Sequence, residues 1–362
     1  MYTGWMSPFP LDRKLSAQER RDVLSHDNQA DIEPGQHIGL IRINSTYIDW
    51  IDRRFRYRGM LNMCIATIGW VFIFGGALFV AWMALSSISA SEPYWWVGLL
   101  CSLFILSFSY LLYYLTLRYE YFTYTYYPIR FNRQTRMVHV FRGKGSGGVL
   151  SVPWESLYFH IGRGTDMKFL RDIRGEVLDG EVVKDTFALG HASESEPPVR
   201  EMWEFIRRYM DGGPDAVADS PMAKYVALSV TPTMKNCMLF AVSFTGATTP
   251  LKRILLSPFI ALFTATRWLV FRTCKEPVFP PEIEATCEVA ANDPNVWPIP
   301  ESTGQFAADI PGVLEYAEAK ARRRWEKERE QERKMALLDE TTREVQKELA
   351  EKYARWRKVR RK

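Results

Sequence analysis

The stretch Gly59 to Ser91, GMLNMCIATIGWVFIFGGALFVAWMALSSISAS, runs for 33 residues without a charged side chain. It decides how the rest of the chain is read. A helix rises about 1.5 Å per residue, so about 20 apolar residues cross a hydrocarbon core of roughly 30 Å. A second uncharged run of 25 residues, Pro93 to Leu117, follows directly after Glu92. Two such runs in succession predict two spans, from Leu61 to about Ile88 and from about Tyr94 to Leu117. Trp95 and Trp96 at one end of the second run, and Tyr110, Tyr113 and Tyr114 near the other, fit interfacial aromatic belts.

The connection Ser89-Ala90-Ser91-Glu92-Pro93 is too short for a domain, so the spans are expected to form a transmembrane helical hairpin. Arg42, Arg53, Arg54, Arg56 and Arg58 precede it, and Arg118, Arg130, Arg133 and Arg136 follow it. Positive flanks stay on the cytoplasmic side, which predicts an inner-membrane protein with both termini in the cytoplasm and the first span as an uncleaved signal anchor. The spans hold no Asp, Glu, Lys, Arg or His, which argues against an ion or proton pathway. Small residues recur along them: Ala77 and Ala81 in the first, Gly98, Ser102 and Ser109 in the second. Such stripes let helices approach closely, either within the hairpin or against another membrane protein.

Downstream the apolar period changes from helical to alternating. Tyr119, Tyr121, Thr123, Thr125 and Tyr127 predict a strand leaving the membrane, followed by strands near Met137–Arg142, Val149–Val152, Ser156–Ile161, Met167–Ile173 and Val182–Leu189. Turn residues separate them at Asn132-Arg133-Gln134, Gly143 to Gly148 and Asp179-Gly180. Ser195-Glu196-Pro197-Pro198 then starts an amphipathic helix carrying Val199, Met202, Trp203, Ile206, Tyr209 and Met210, which stops at Gly212-Gly213-Pro214.

Beyond it lies a further apolar region, Cys237 to Thr248 and Ile254 to Phe271, broken by Pro258 and Arg267. Three readings stand: a membrane-docked helix pair with Lys252, Arg253, Arg267 and Arg272 at the headgroups, a buried helix, or a third span. Residues 276–311 are rich in proline and predict an extended connector on which Trp297 could dock. The last 54 residues hold 17 basic and 12 acidic side chains, so the net charge of +5 belongs to the tail. Glu318 with Arg322, Glu330 with Lys334, Glu348 with Lys352 and Glu351 with Arg355 are spaced four apart and predict a long charged helix. Its last basic cluster, including Arg355, Arg357, Lys358, Arg360, Arg361 and Lys362, suits attraction to anionic lipid headgroups.

The resulting fold class is an α+β membrane protein. Its parts are an N-terminal segment (1–59), the hairpin (60–118), a β domain with closing helix (119–213), an apolar helical region (214–275), the connector (276–311) and the basic helix (312–362). By element order the β domain resembles a pleckstrin-homology-like barrel. The segments Asn44-Ser45-Thr46-Tyr47-Ile48-Asp49-Trp50, Tyr127-Pro128-Ile129-Arg130-Phe131-Asn132-Arg133 and Val152-Pro153-Trp154-Glu155 resemble a bacterial two-pass inner-membrane family of unknown function over about residues 40–215. Members of that family are often encoded beside type VI secretion toxins. The resemblance implies immunity to a membrane-acting toxin, and supplies no catalytic residue.

No motif points to an enzyme, a cofactor or a nucleic acid. The segment Arg142-Gly143-Lys144-Gly145-Ser146-Gly147-Gly148 lacks the ending of a phosphate loop and reads as a strand connection whose Lys144 could meet an anionic headgroup. His139, His160 and His191 are scattered and read as structural or exposed; Cys64, Cys101, Cys237, Cys274 and Cys287 have no paired spacing and read as free thiols. The expected partners are membrane lipids and a protein, either a toxin or a secretion component. The alternative to immunity is a membrane-anchored scaffold that recognises lipid or protein.

Overall fold

The computed structural model describes residues 9–27, 31–65, 71–89, 95–115, 117–143, 147–163, 170–217, 225–247 and 249–305, and in the tail residues 315, 318, 319, 322, 323, 325, 326, 329, 330, 333–338 and 342. It is a mixed α+β protein with two antiparallel sheets. Residues 1–306 form one compact unit and residues 307–362 another.

One sheet contains β2 (Leu40–Ile43), β3 (Tyr47–Trp50), β4 (Ile129–Asn132), β5 (Met137–Gly143) and β6 (Gly148–Pro153) in that spatial order. The other runs β1 (Arg13–Lys14), β9 (Val182–Ser193), β8 (Arg171–Asp179) and β7 (Leu157–Arg163). The strand expectations from Met137 onward hold in substance, although β8 starts later than Met167, and residues 167–169 lie outside the described residues. The connection between β8 and β9 is Gly180-Glu181, with Gly180 at φ 61° and Asp179 opposite Val182.

The N-terminal segment is part of the domain: it supplies β1, the short helix α1 (Ala17–Arg21), β2 and β3. Tyr47 pairs with Asn132 and Trp50 with Ile129, so the chain between β3 and β4 is a long insertion into one antiparallel pair. That insertion contains α2 (Met60–Ile65), α3 (Val71–Ser89) and α4 (Trp95–Leu115). By length and composition one helix, Trp96–Tyr119, can cross a membrane, and Gly75–Ser86 is a shorter apolar helix.

The strand expected over Tyr119–Tyr127 does not form. Its alternation is real, but its backbone is spent elsewhere. Glu120 and Tyr121 donate to the Leu117 carbonyl, and Phe122 has φ 55°, outside the extended region. Thr123 and Thr125 then clamp Lys275 through Lys275 N–H to the Thr123 carbonyl and Thr125 N–H to the Lys275 carbonyl.

The main core lies between the sheets and α5 (Pro197–Gly212), whose apolar stripe contributes Val199, Met202, Trp203, Phe205, Ile206, Tyr209 and Met210. Trp154 marks the corner where β6 passes to β7, is fully buried, and stacks on Trp203 at 5.6 Å between ring centroids. This explains the Val152-Pro153-Trp154-Glu155 segment as a packing device rather than a binding one. At the far end Gly213 accepts the helix stop with φ 79°.

Three further helices follow: α6 (Met234–Thr245), α7 (Pro250–Leu255) and α8 (Ser257–Thr273). Thr233 and Thr249 accept hydrogen bonds from Asn236 and Lys252, and so cap α6 and α7.

Residues 275–305 form a strap bonded to the domain instead of the extended connector expected from their prolines. Phe279 is buried against Phe141, and α9 (Pro281–Ala285) brings Glu284 to Arg130 at 3.0 Å. The Asn132 side chain donates to the Thr286 carbonyl, Ser45 donates to Asp293 through both N–H and Oγ at 2.7 Å, and Asn236 donates to the Glu301 carbonyl. Trp297 does dock, partly buried beside Tyr225. The strap reads the two asparagine turns of the first sheet, at Asn44 and Asn132.

In the tail the described residues are helical, and Lys334 pairs with Glu330 at 2.8 Å. The expected pairs ending at Lys352 and Arg355 lie outside the described residues, as do Arg357, Lys358, Arg360, Arg361 and Lys362.

Arg130 holds strap and sheet together. It forks onto Asp49 at 2.7 and 3.0 Å and lies between the rings of Tyr47 and Phe279. Removing one member of such a buried pair strands the other charge. Asp49→Ala should therefore lower stability by about 3 kcal/mol, and Asp49→Asn by less, as measured by chemical unfolding of the purified protein.

Candidate functional site

The chemistry-bearing residues gather at the neck where the inserted helices leave the sheet. Asp52 follows β3 and is buried; its carboxylate accepts from the backbone N–H of Arg54 and of Tyr127, each at 2.9 Å. Burial pushes this carboxyl above its usual range.

Glu120, just after α4, accepts from Gly59 N–H and Asn62 N–H at 3.0 Å, the free donors at the start of α2. The residue that ends the insertion thus caps the helix that begins it. Burial also pushes Glu120 upward. Arg58 donates to the Glu120 carbonyl, to Thr123 Oγ1 and to Cys274 Sγ.

Arg267 lies at the centre, contrary to the expected headgroup position: it is fully buried. Its Nη1 donates to the carbonyls of Phe55 and Arg58 at 2.8 Å and of Arg56 at 3.3 Å. Its guanidinium lies 4.6 to 4.9 Å from the ring centres of Phe55, Phe240 and Phe271. Desolvation lowers its pKa to about 10, so it remains charged at neutral pH. Three carbonyl dipoles and three ring faces replace the water that a free guanidinium would have. Gly59, at φ 88°, lets α8 close on this loop, since a Cβ there would lie 2.5 Å from the Arg267 Cα.

The other predicted positions fall along the seam of α3 and α4. Ala77, Ser102 and Ser109 are buried, while Ala81 is half-buried. Ser102 Oγ lies 3.0 Å from the carbonyls of Ala77 and of Gly98, and a Cβ on Gly98 would lie 2.6 Å from the Ala84 Cβ. Ser109 Oγ donates to the Ile105 carbonyl at 2.8 Å. Residues 77 and 84 meet 102 and 98, so the two helices run antiparallel. The stripe is spent on this contact and does not form an open face. Lys144 lies outside the described residues.

Sequence reading missed a cavity of about 630 Å³ beside the neck, lined among others by His37, Arg56, Tyr57, Met60, His191 and Phe244. These residues come from four separate stretches, so no local spacing could have indicated it. His191 is buried with Nε2 3.0 Å from the Ile38 carbonyl, and burial, then the nearby Arg56 charge, hold it down at about 3. His37 pairs with Glu201 at 2.7 Å.

Folding also brings Glu19 and Glu176 to His160, with ligand atoms within 4.8 Å of one another. His160 is buried, which fits the structural reading of the scattered histidines, and its carboxylate neighbours come from β8 and α1. Arg13 already forks onto Glu19 at 2.7 Å and approaches Glu176 at 3.7 Å, so the cluster is an internally compensated polar group. Cys237 and Cys287 are buried free thiols, Cys274 is half-buried and Cys101 exposed. The Cys64 side chain lies outside what is described.

A family of unknown function, DUF6708, matches residues 104–291, slightly more than half of the chain. The chain belongs to the DUF6708 family. The match begins inside α4 and ends within the strap, so DUF6708 includes Glu120, Arg267 and the helices around them, while β2, β3 and α3 precede it. The sequence likeness had been placed over about residues 40–215, further toward the N-terminus. No curated protein and no solved structure matches the chain.

Two outcomes test the neck. Arg267→Met leaves three carbonyls without their donor and should cost about 2 to 4 kcal/mol in chemical unfolding. Arg267→Lys should recover part of that loss.

The second outcome concerns pH. Because the folded state keeps His191 neutral below the ordinary histidine pKa of 6.5, it binds fewer protons than the unfolded chain between 6.5 and about 3. Stability should fall as pH drops through that window, by at most about 1.4 kcal/mol per pH unit for this group. His191→Asn should show a shallower decline in melting temperature; an identical slope would refute the assignment.

Proposed function

We propose that this DUF6708 protein is a non-enzymatic, two-pass protein of the bacterial inner membrane that acts by binding and confers immunity to a membrane-acting toxin of a type VI system. The observation that carries the membrane part is the insertion itself. Its seam is closed by Ala77, Ala84, Gly98 and Ser102, whereas Phe79, Trp82, Leu85, Leu103, Phe104 and Tyr110 face outward and are exposed. Only 12% of the apolar window of Trp96–Tyr119 is buried, the reverse of a core helix in a water-soluble protein. An outer face of this composition suits lipid tails. Arginines at both feet favour both termini in the cytoplasm.

The cytoplasmic domain then follows the order of a pleckstrin-homology-like barrel. Strands β2 to β6 form one sheet, β1 with β7 to β9 the second, and α5 packs against both. The insertion carrying α2, α3 and α4 occupies the connection between β3 and β4. Such a domain is a binding platform in many settings, and the type VI role comes from the sequence resemblance.

Helix α7 favours a second reading, a scaffold that also reads the inner leaflet. Met63 of α2 packs with Ala247, Ile260 and Phe263, which sets the α6–α8 turn level with the second turn of α2. Leu251, Ile254 and Leu255 of α7 are each more than 60% exposed, and Lys252 and Arg253 lie beside them. This apolar and basic tip suits the interface between tails and headgroups.

The decisive experiment expresses the neighbouring secreted toxin in cells with and without this gene. Loss of survival only in the deletion strain, restored by the intact chain, is expected. Equal survival of both strains would sink the immunity reading and leave the scaffold.

A further inference from the structure

The lining of the cavity beside the neck includes the apolar Tyr57, Met60, Phe240 and Phe244 together with Arg56 and His191. Met60 is the first residue of α2, so the cavity opens where the chain turns into the inserted helices. Tyr57 and Phe244 rings meet edge to face at 6.1 Å and fix part of the apolar wall. The volume of about 630 Å³ lies within the range of small-ligand sites.

Its charges are unequally compensated. His37 is tied to Glu201 at 2.7 Å, and Glu194, which also lines the cavity, is exposed to solvent. Arg56, half-buried, makes no side-chain hydrogen bond or ion pair among the described residues, although its carbonyl serves Arg267. His191, 8% exposed, donates Nε2–H to the Ile38 carbonyl in its neutral form, and its buried Nδ1 has no partner. A guanidinium without an anion and an imidazole nitrogen without a donor therefore share one apolar chamber.

We propose that this cavity binds an anionic phospholipid of the leaflet that surrounds the helices, with the lipid phosphate on Arg56. A headgroup hydroxyl would supply the donor that His191 lacks, which favours a phosphoglycerol head over a choline one. Ester and upper-chain carbons then lie along Met60, Phe240 and Phe244. A guanidinium forks naturally onto phosphate oxygens, and the apolar wall excludes the water that would weaken the pair. The inference rests on the membrane reading above, and assigns that reading a specific lipid site.

The test uses the full chain purified in detergent and titrated calorimetrically with three probes: dihexanoyl phosphatidylglycerol, dihexanoyl phosphatidylcholine and inorganic phosphate. The glycerol lipid should bind about tenfold more tightly than the choline lipid, and Arg56→Gln should remove that preference. Ser243→Trp, which fills the cavity without altering its charges, should abolish binding of both lipids while leaving the unliganded melting temperature within about 3 °C of wild type.

Unchanged lipid preference in Arg56→Gln overturns the proposal, as does binding of inorganic phosphate with the same Arg56 dependence but no binding of lipid. Alkaline carbonate separates the two levels of inference. Release of the chain from membranes would refute the membrane reading, whereas retention with no lipid preference refutes only the lipid site.

Discussion

The capping of α2 by Glu120 is the contact on which the rest of the structure depends. A long apolar insertion between β3 and β4 must leave the domain and return to it within one strand spacing. Glu120 meets that constraint by accepting from Gly59 and Asn62, so the returning chain satisfies the donors of the departing helix. Arg267 completes the closure by donating to the carbonyls of the Phe55–Arg58 loop. Glu120 and the Arg267 Nη1 are thereby matched to backbone groups of the opposite kind, which helps hold the junction together.

The foot of the insertion is held to the sheet, because β3 and β4 pair directly and α8 closes on Gly59. The strap adds a second restraint by binding the asparagine turns at the other end of the same strands.

Much of the architecture was legible in the sequence. Strands from Met137 to Ser193 and the helix closed by Gly213 follow from local period and turn chemistry, which act over a few residues. The missed strands β2 and β3 are four residues long, and β3 is buried along its whole length, so neither shows alternation. The alternation of Tyr119–Tyr127 misled because the backbone there bonds to Leu117 and Lys275 rather than to a neighbouring strand. The prolines of residues 276–311 predict an extended connector, and nothing in their spacing shows that Phe279, Glu284 and Asp293 fasten the described part to the sheet.

By itself the sequence determined where the chain is apolar, where it alternates and where it carries charge, because hydropathy and period are properties of neighbouring residues. It also marked Ala77, Gly98 and Ser102 as contact residues, since only small side chains let two helices meet. The tertiary structure decided what those residues touch. Arg267 illustrates the difference: a lone arginine in an apolar helix reads as a headgroup contact, and only folding supplies the three carbonyls and three rings that hold it inside. Burial of a charge depends on partners far away in sequence, so no local pattern encodes it.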